Sequence, residues 1–347
     1  MMVGTEGTPS SSRVGTAVIG MGQMGLQHAA ILSVLTGSKV CVHDSNERLL
    51  GMAGTVARNL CIHSDVHSLL QEKGLEAVFI CTPAQTHAEV IKLINDGTDR
   101  DISLFVEKPL STDYGLAREL AEYLGSKGRH GMVGFQKRFN GVYTKVKEIL
   151  GKNILGDIRF YVAHSYSYDV PRRAKGWKFE PPNGGVTLDF GAHLLDMLIW
   201  LFGEPQVSRS FTKMVFSKAV EDYVHAVLNH NGVMGTIDVG WSMRNYAPND
   251  HSLEVHGTKG TAIATDEELT LYLDKSESEA YPKGIHAYHT SQLTARPPYL
   301  LTYPEYVLED QYFLKCVALG SGFEPDFQQA ACVNKLADDI RRKSGVL

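Results

Sequence analysis

The feature that most restricts this chain is an alternation running from residue 16 to about residue 135. Short apolar, β-branched runs, TAVIG (16–20), KVCVH (39–43), EAVFI (76–80), LFVE (104–107) and HGMVGF (130–135), are separated by amphipathic stretches at 25–35, 47–58, 87–95 and 114–127. A strand that is apolar at nearly every position has both faces buried, and helices between successive strands are what bury them. The pattern therefore predicts an α/β architecture: a doubly wound parallel sheet of the Rossmann type.

Beyond residue 135 the pattern changes. A helix-like segment (141–152) leads to a strand (157–168), then a Pro/Gly/basic loop (170–184), then an apolar helix opened by Gly184-Gly185. Six strand-like runs follow between 206 and about 273, with Asn231-Gly232 as a hairpin signal between two of them. Consecutive strands with turn punctuation predict a C-terminal α+β domain with a mostly antiparallel open sheet. Helical patterns at 303–320 and 325–343 close the chain. At 347 residues two domains are expected. We assign 1–12 as a frayed tail, 13–135 as the dinucleotide-binding domain, and 136–347 as a substrate and oligomerisation domain whose last helix can pack back on the first.

Composition narrows the functions. Apolar content of 43% and charged content of 21% are those of a folded globular protein. A formal net charge of −5, with only the short basic groups Arg172-Arg173 and Arg341-Arg342-Lys343, argues against a nucleic-acid partner. The opening MMVGTEGTPSSS lacks the basic and apolar regions of a signal peptide. The apolar run at 194–202 is interrupted by Asp196 and too short to span a bilayer, so no membrane partner is expected. Cys41, Cys61, Cys81, Cys316 and Cys332 are odd in number and form no C-x-x-C pair, which suits buried thiols in a cytoplasmic protein. The pairs His251/His256 and His286/His289 lack a third ligand at metal spacing, so no metal is expected.

Two stretches carry chemistry. GMGQMG (20–25) follows the first strand and opens a helix, the context that G-x-G-x-x-G requires. Gly20 permits the tight turn, Gly22 lets backbone approach a pyrophosphate, and Gly25 allows close helix–strand packing. Gln23 and Met24 belong to the same loop. Asp44 ends the second strand about 20 residues on, where a carboxylate accepts from both ribose hydroxyls and repels a 2′-phosphate. With Ser45 rather than Arg beside it, NAD is favoured over NADP; a helix N-cap is the alternative role for Asp44. The second stretch, GGVTLDFGAHLLD (184–196), places Asp189, His193 and Asp196 at spacings of four and three, so one helix would stack them on one face. Core polar residues and an acid/base site are both open readings of that stripe.

These residues resemble a family, the glucose–fructose oxidoreductase, inositol dehydrogenase and rhizopine-catabolism (Gfo/Idh/MocA) oxidoreductases. Besides the glycine loop, CTPAQTHAEV (81–90), VEKPLS (106–111), VGFQKRFN (133–140) and GGVTLDFGAHLLD resemble that family's elements in order, over residues 14 to about 343. The resemblance implies Cys81, Thr82, Pro83, His87 and Gln136 beside the cofactor, and a cis peptide in Glu107-Lys108-Pro109 that places Lys108 by the nicotinamide. Ala84 and Gln85 depart from the pattern, where many members have Asn. It further implies an NAD(P)-dependent dehydrogenase acting on a secondary hydroxyl of a sugar, cyclitol or sugar derivative, assembled as a homodimer or homotetramer through the open sheet. Histidine suits the base role because its pKa lies near operating pH, and lysine can steady a developing alkoxide. His193 is assigned as base, Lys108 as its partner and Asp189 as orienting or hydroxyl-binding; Asp196 is assigned structural work. Arg138 and Trp177, the latter flanked by Arg172, Arg173 and Lys175, are the further substrate candidates, and Tyr166 and Tyr168 alternate with Ser165 and Ser167 toward cleft or interface. The stretch 281–301 reads as an insertion or variable loop. Two other functions compete: internal redox on a sugar ring with a retained cofactor, and a ligand sensor that kept the fold without catalysis.

Overall fold

The computed structural model describes residues 14–56, 59–168, 177–181, 184–246, 249–294 and 303–345. The chain divides into two compact units. The first takes the residues up to Ser111, Gly115–Gly134 and Tyr306–Ala330; the second takes Thr112–Tyr114, Phe135–Glu305 and Ala331 onward.

The first unit is built on six strands: β1 (Gly15–Ile19), β2 (Val40–His43), β3 (Leu60–Ile62), β4 (Leu75–Ile80), β5 (Ser103–Glu107) and β6 (Gly131–Gly134). They pair in parallel in the order β3-β2-β1-β4-β5-β6. Five follow the alternation of the sequence. The sixth, β3, was not anticipated, because a three-residue edge strand with no buried residue carries too little pattern to register. Phe79 and Phe105 stack at 4.6 Å on adjacent strands, and Phe313 closes on them edge-on at 5.1 and 5.6 Å. Phe313 comes from the helix Glu305–Leu319, so a helix remote in sequence completes this core. Because all six strands run the same way, Gly20, Asp44, Cys81 and Lys108, which follow β1, β2, β4 and β5, share the sheet's carboxyl edge. The order reverses between β1 and β4, the position where open α/β sheets take ligands.

The second unit carries eight strands: β7 (Ile158–Tyr166), β8 (Gln206–Lys213), β9 (Tyr223–His230), β10 (Val233–Gly240), β11 (Asp250–Gly257), β12 (Gly260–Thr265), β13 (Glu268–Leu273) and β14 (Gly284–His289). Their order is β14-β13-β12-β11-β7-β10-β9-β8, antiparallel except for β7 with β10. Asn231 and Gly232 both take positive φ, 51° and 103°, as the tight β9–β10 hairpin requires. Burial alternates along β7: Tyr161, Ala163 and Ser165 face the core, where Phe202 stacks on Tyr161 at 4.9 Å, while Phe160 and Val162 stay exposed. Up to residue 294 the stretch expected as a variable loop is ordered structure instead. β14 extends the sheet by one strand, and buried Tyr281 donates to Glu148 at 3.0 Å and accepts from Lys145 at 2.9 Å. Among the described residues no helix is long and apolar enough to cross a membrane.

Candidate active site

In the first unit the glycine loop has the geometry that an anion needs. Gly20 has φ +94°, its N–H donates to the His43 carbonyl at 2.8 Å, and a Cβ on it would meet the Cys81 and Thr82 backbone at 2.7 Å. At Gly25 a Cβ would lie 1.7 Å from the Gly20 carbonyl, so only glycine lets the helix Gln23–Leu35 start this close to β1. Gly22 differs: a Cβ there would meet nothing within 4 Å. It stands at the N-cap of that helix, whose first turn holds no acidic residue, so the positive helix end opens onto unfilled space. The residues present fit the pyrophosphate of a dinucleotide.

Asp44 is bound into the same loop. Its Oδ2 accepts from Met21 N at 2.6 Å and its Oδ1 from Asn46 N at 2.7 Å. The capping of the helix Glu47–Val56 falls to Asn46, whose side chain accepts from Arg48 N at 3.1 Å. Asp44 is thus a carboxylate fixed at the end of β2 by two backbone N–H groups, and the N-cap role goes to Asn46.

Further along this edge, His87 is buried, with Nε2 2.9 Å from the Thr82 carbonyl and Nδ1 3.0 Å from that of Pro109. The ring ties the Thr82-Pro83 turn to the segment after β5, and burial lowers its pKa. The Lys108–Pro109 peptide is cis. Lys108 itself is partly exposed, while Glu107 before it is buried and accepts from Lys108 N at 3.2 Å. The other Glu107 oxygen meets His28 Nε2 at 2.9 Å, and His28 Nδ1 meets Asp310 at 2.9 and 3.0 Å. Burial by itself would lower the His28 pKa, but the Asp310 charge, then the hydrogen bonds and charge of both carboxylates, raise it well above the usual value. Asp310 is in turn pushed up by burial and pulled back by His28. A protonated imidazole between two buried carboxylates therefore braces the residue preceding Lys108. Sequence reasoning missed this group, because Asp310 lies 282 residues from His28; the signal within reach was a histidine three residues past Gly25, on a helix that is otherwise apolar at its core.

In the second unit the stripe is not one helix. Val186–Asp189 and Gly191–Phe202 are separate helices joined at Phe190. The joint is tight, with a Cβ on Gly191 falling 3.3 Å from the Val186 carbonyl. The two leading glycines make room for the chain itself. A Cβ on Gly184 would meet the Lys178 carbonyl at 2.4 Å, and one on Gly185, at φ +124°, would meet the Glu221 carboxylate at 2.2 Å. Gly184 N and Gly185 N donate to the Glu180 and Lys178 carbonyls, both at 2.8 Å. This closure brings Lys178 Nζ to 3.3 Å from Asp189 Oδ2, a cation the sequence did not single out.

Along the stripe, burial deepens. Asp189 and His193 are partly exposed, and Asp196 is fully buried. Arg138, expected against substrate, is itself buried and binds Asp196 through both arms, Nε to Oδ2 at 2.9 Å and Nη2 to Oδ1 at 2.7 Å. That pairing gives Asp196 its structural work. Gln136, two residues before, is buried in the same short turn, Gln136–Phe139. Tyr166 is partly exposed and stacks on His164 at 4.5 Å, with Tyr168 on the same side of the chain, while Ser165 and Ser167 are buried. A separate cavity of about 600 Å³ in this unit is walled by Asn140, Asp250, His251, Asp266, His289 and Glu305, and none of the expected site residues lines it. Arg172, Arg173, Lys175 and the side chain of Trp177 lie outside the described residues.

Comparison with known proteins agrees with this layout. Residues 14–135 match the family model of an oxidoreductase family with an NAD-binding Rossmann fold, and residues 143–263 match the GFO/IDH/MocA C-terminal domain. The scyllo-inositol 2-dehydrogenase (NAD(+)) of Bacillus subtilis is 29% identical over 325 residues, covering 89% of this chain and 87% of that protein. The inositol 2-dehydrogenase of Rhizobium meliloti is 25% identical, covering 92% and 94%. Among solved structures, a levoglucosan dehydrogenase in complex with NADH and levoglucosan has the same fold, with a TM-score of 0.83 at 20% identity over 96% of this chain and 97% of that one. With both of its domain models matched over more than half of the sequence, the chain belongs to the Gfo/Idh/MocA family of NAD-binding oxidoreductases.

Proposed function

We propose that this chain is an NAD-dependent dehydrogenase that oxidises a secondary hydroxyl of a sugar or cyclitol. The observation that carries the reading is Lys108, partly exposed just past β5, on the carboxyl edge that also holds the Gly20–Gly25 loop and Asp44. Relatives that act on inositols support the substrate class.

A bound NAD supplies the hydride acceptor. Lys108 hydrogen-bonds the reacting oxygen and steadies the charge that develops on it. His193 takes the hydroxyl proton, a role suited to imidazole near neutral pH. Asp189, with Lys178 beside it, is held as a carboxylate that accepts from a second hydroxyl of the ring. Gln136 and His87 act through position, and Asp44 accepts from the adenosine ribose.

The test is a screen of cyclitols, free sugars and sugar phosphates for NADH formation, with variants read on the best substrate. Lys108→Ala should lower kcat roughly 10²–10⁴-fold while NAD still binds; an unchanged rate removes Lys108 from the reaction. His193→Asn should abolish the acid limb of the pH–rate profile, and a limb that survives hands the proton to Lys108.

The same reading makes the protein a cytoplasmic homo-oligomer. All five cysteines are free thiols, as a reducing compartment allows. The strand registers place Ile285, Tyr272, Phe160 and Met234 in one lateral row across the uncovered face of the eight-stranded sheet, and all four are exposed. An exposed apolar row supports an interface between copies of the chain on this face. Phe160→Lys should shift the mass measured by light scattering toward the monomer, and an unshifted mass would place the interface elsewhere.

A further inference from the structure

The edge of the first sheet brings together four side chains that no sequence motif connects. Cys41 and Cys61 sit opposite each other in the β2–β3 register. His63 lies two residues beyond Cys61, on the same side of the chain as a strand's alternation dictates. Glu72 is returned to them by the short helix Val66–Leu70, which is capped by Asp65. One ligand atom from each, two sulfurs, an imidazole nitrogen and a carboxylate oxygen, all lie within 4.8 Å of one another.

We propose that Cys41, Cys61, His63 and Glu72 form a structural zinc site. Two thiolates, one imidazole and one carboxylate are the donors of a borderline-soft cation in tetrahedral geometry, and are wrong for calcium or magnesium, which take oxygen. Ligand atoms around a tetrahedral zinc stand roughly 3.3–3.8 Å apart, so closure requires a shift of about 1 Å. The Glu72 side chain, 42% exposed, has the freedom to make it. A second observation points the same way: His63 Nε2 is buried and, among the described residues, makes no hydrogen bond, with the Glu72 carboxylate 3.4 Å away. A buried ring nitrogen left in that state is costly, and a metal gives it a partner.

The missing C-x-x-C does not count against the site. That motif supplies two thiols from one turn, whereas here the sheet pairing supplies them from two strands and C-x-H supplies the third donor. An ion held this way would pin the three-residue edge strand β3 and the turn at Glu72 to β2, three residues before Asp44. The site is independent of the catalytic reading above.

The test uses the full chain, reduced and stripped with chelator, titrated with Co²⁺ and then Zn²⁺. One Co²⁺ per chain should bind with thiolate-to-cobalt charge-transfer absorption and the intense visible bands of tetrahedral cobalt, and Zn²⁺ should displace it and raise Tm. Cys61→Ser should reduce the charge-transfer intensity. Glu72→Gln, a change of nearly equal size at a partly exposed position, should leave the apo fold intact and weaken binding at least tenfold, while Cys332→Ser should change nothing. The proposal is overturned if no thiolate bands appear, if they persist undiminished in Cys61→Ser, or if Cys41 and Cys61 prove to be disulfide-linked in metal-free protein as purified.

Discussion

Both units begin a helix after closely spaced glycines and neutralise a buried carboxylate with a cation, but with opposite consequences. In the first unit the Gly22 position faces empty space and the cation is His28, a titratable group on the glycine-led helix, set between Glu107 and Asp310. In the second the glycine positions are filled by the chain's own carbonyls and the Glu221 carboxylate, and the cation is Arg138, charged at every accessible pH, which reaches Asp196 on the next helix, Gly191–Phe202. The first is built to admit a ligand and to respond to pH. The second is built to hold two short helices and a loop in place. Glycine-rich entry to a helix therefore makes room without saying who occupies it; the occupant is decided by whether some other part of the chain arrives there first.

The largest expected effects come from removing the cations. Replacing either partner of a buried pair leaves an uncompensated charge, at a cost of roughly 3–5 kcal/mol, so His28→Gln and Arg138→Gln should both lower denaturant stability strongly. Only the first should erase a pH dependence. The folded-state pKa of His28 lies above its unfolded value of about 6.5, so its contribution is complete below that pH and is lost as pH rises through the raised value. Asp310, also raised, adds a slope of the same sign at the acid end. Wild type and Arg138→Gln should lose stability as pH rises above about 6.5, and that loss should disappear in His28→Gln. A wild type that gains stability across this range would mean that His28 is neutral in the fold.

Exchanging the glycines tests the contrast directly. Gly185→Ala forces a Cβ against Glu221 at a φ that side chains avoid, and should cost roughly 2–3 kcal/mol in unfolding experiments. At Gly22→Val the added Cβ meets no protein atom within 4 Å, so stability should change little. The substitution should instead weaken NAD binding at least tenfold, about 1.4 kcal/mol, measured by calorimetry. If Gly22→Val unfolds the protein, or binds NAD normally, the two turns are not the different devices inferred above.

What the sequence disclosed follows the same division. Strands buried on both faces are written in contiguous apolar runs, so the parallel sheet could be read directly. β3 could not, since three residues at an edge need no buried side chain. The glycine loop, Asp44 and Glu107-Lys108-Pro109 are local, and their chemistry is visible at that range. The groups that brace or pair with them are not: Asp310 on His28, Lys178 on Asp189 and Asp196 on Arg138 are partners chosen by folding, between elements with no fixed spacing. For the same reason the helix expected across Asp189, His193 and Asp196 broke at Phe190. Periodicity recorded which residues could share a face, but the packing of Gly191 at the break against Val239 of β10 is a tertiary fact.

The smallest effect should come from Asp44, where a structural and a recognition role overlap in one carboxylate. Its oxygens hold Met21 N and Asn46 N, so removing the side chain disturbs the loop as well as the ribose contact. Asp44→Asn separates the two. The amide keeps one carbonyl acceptor for the loop but loses the charge that repels a 2′-phosphate and the second acceptor that a ribose diol needs. The ratio of kcat/KM for NADP to that for NAD should rise about tenfold, near 1.4 kcal/mol, with little change in Tm. Asp44→Ala should give the same shift in preference along with a loss of stability, because both loop bonds go. Should the ratio stay fixed in both variants, Asp44 holds the loop and nothing more, and the first unit's turn would resemble the second's, a place where the chain binds itself.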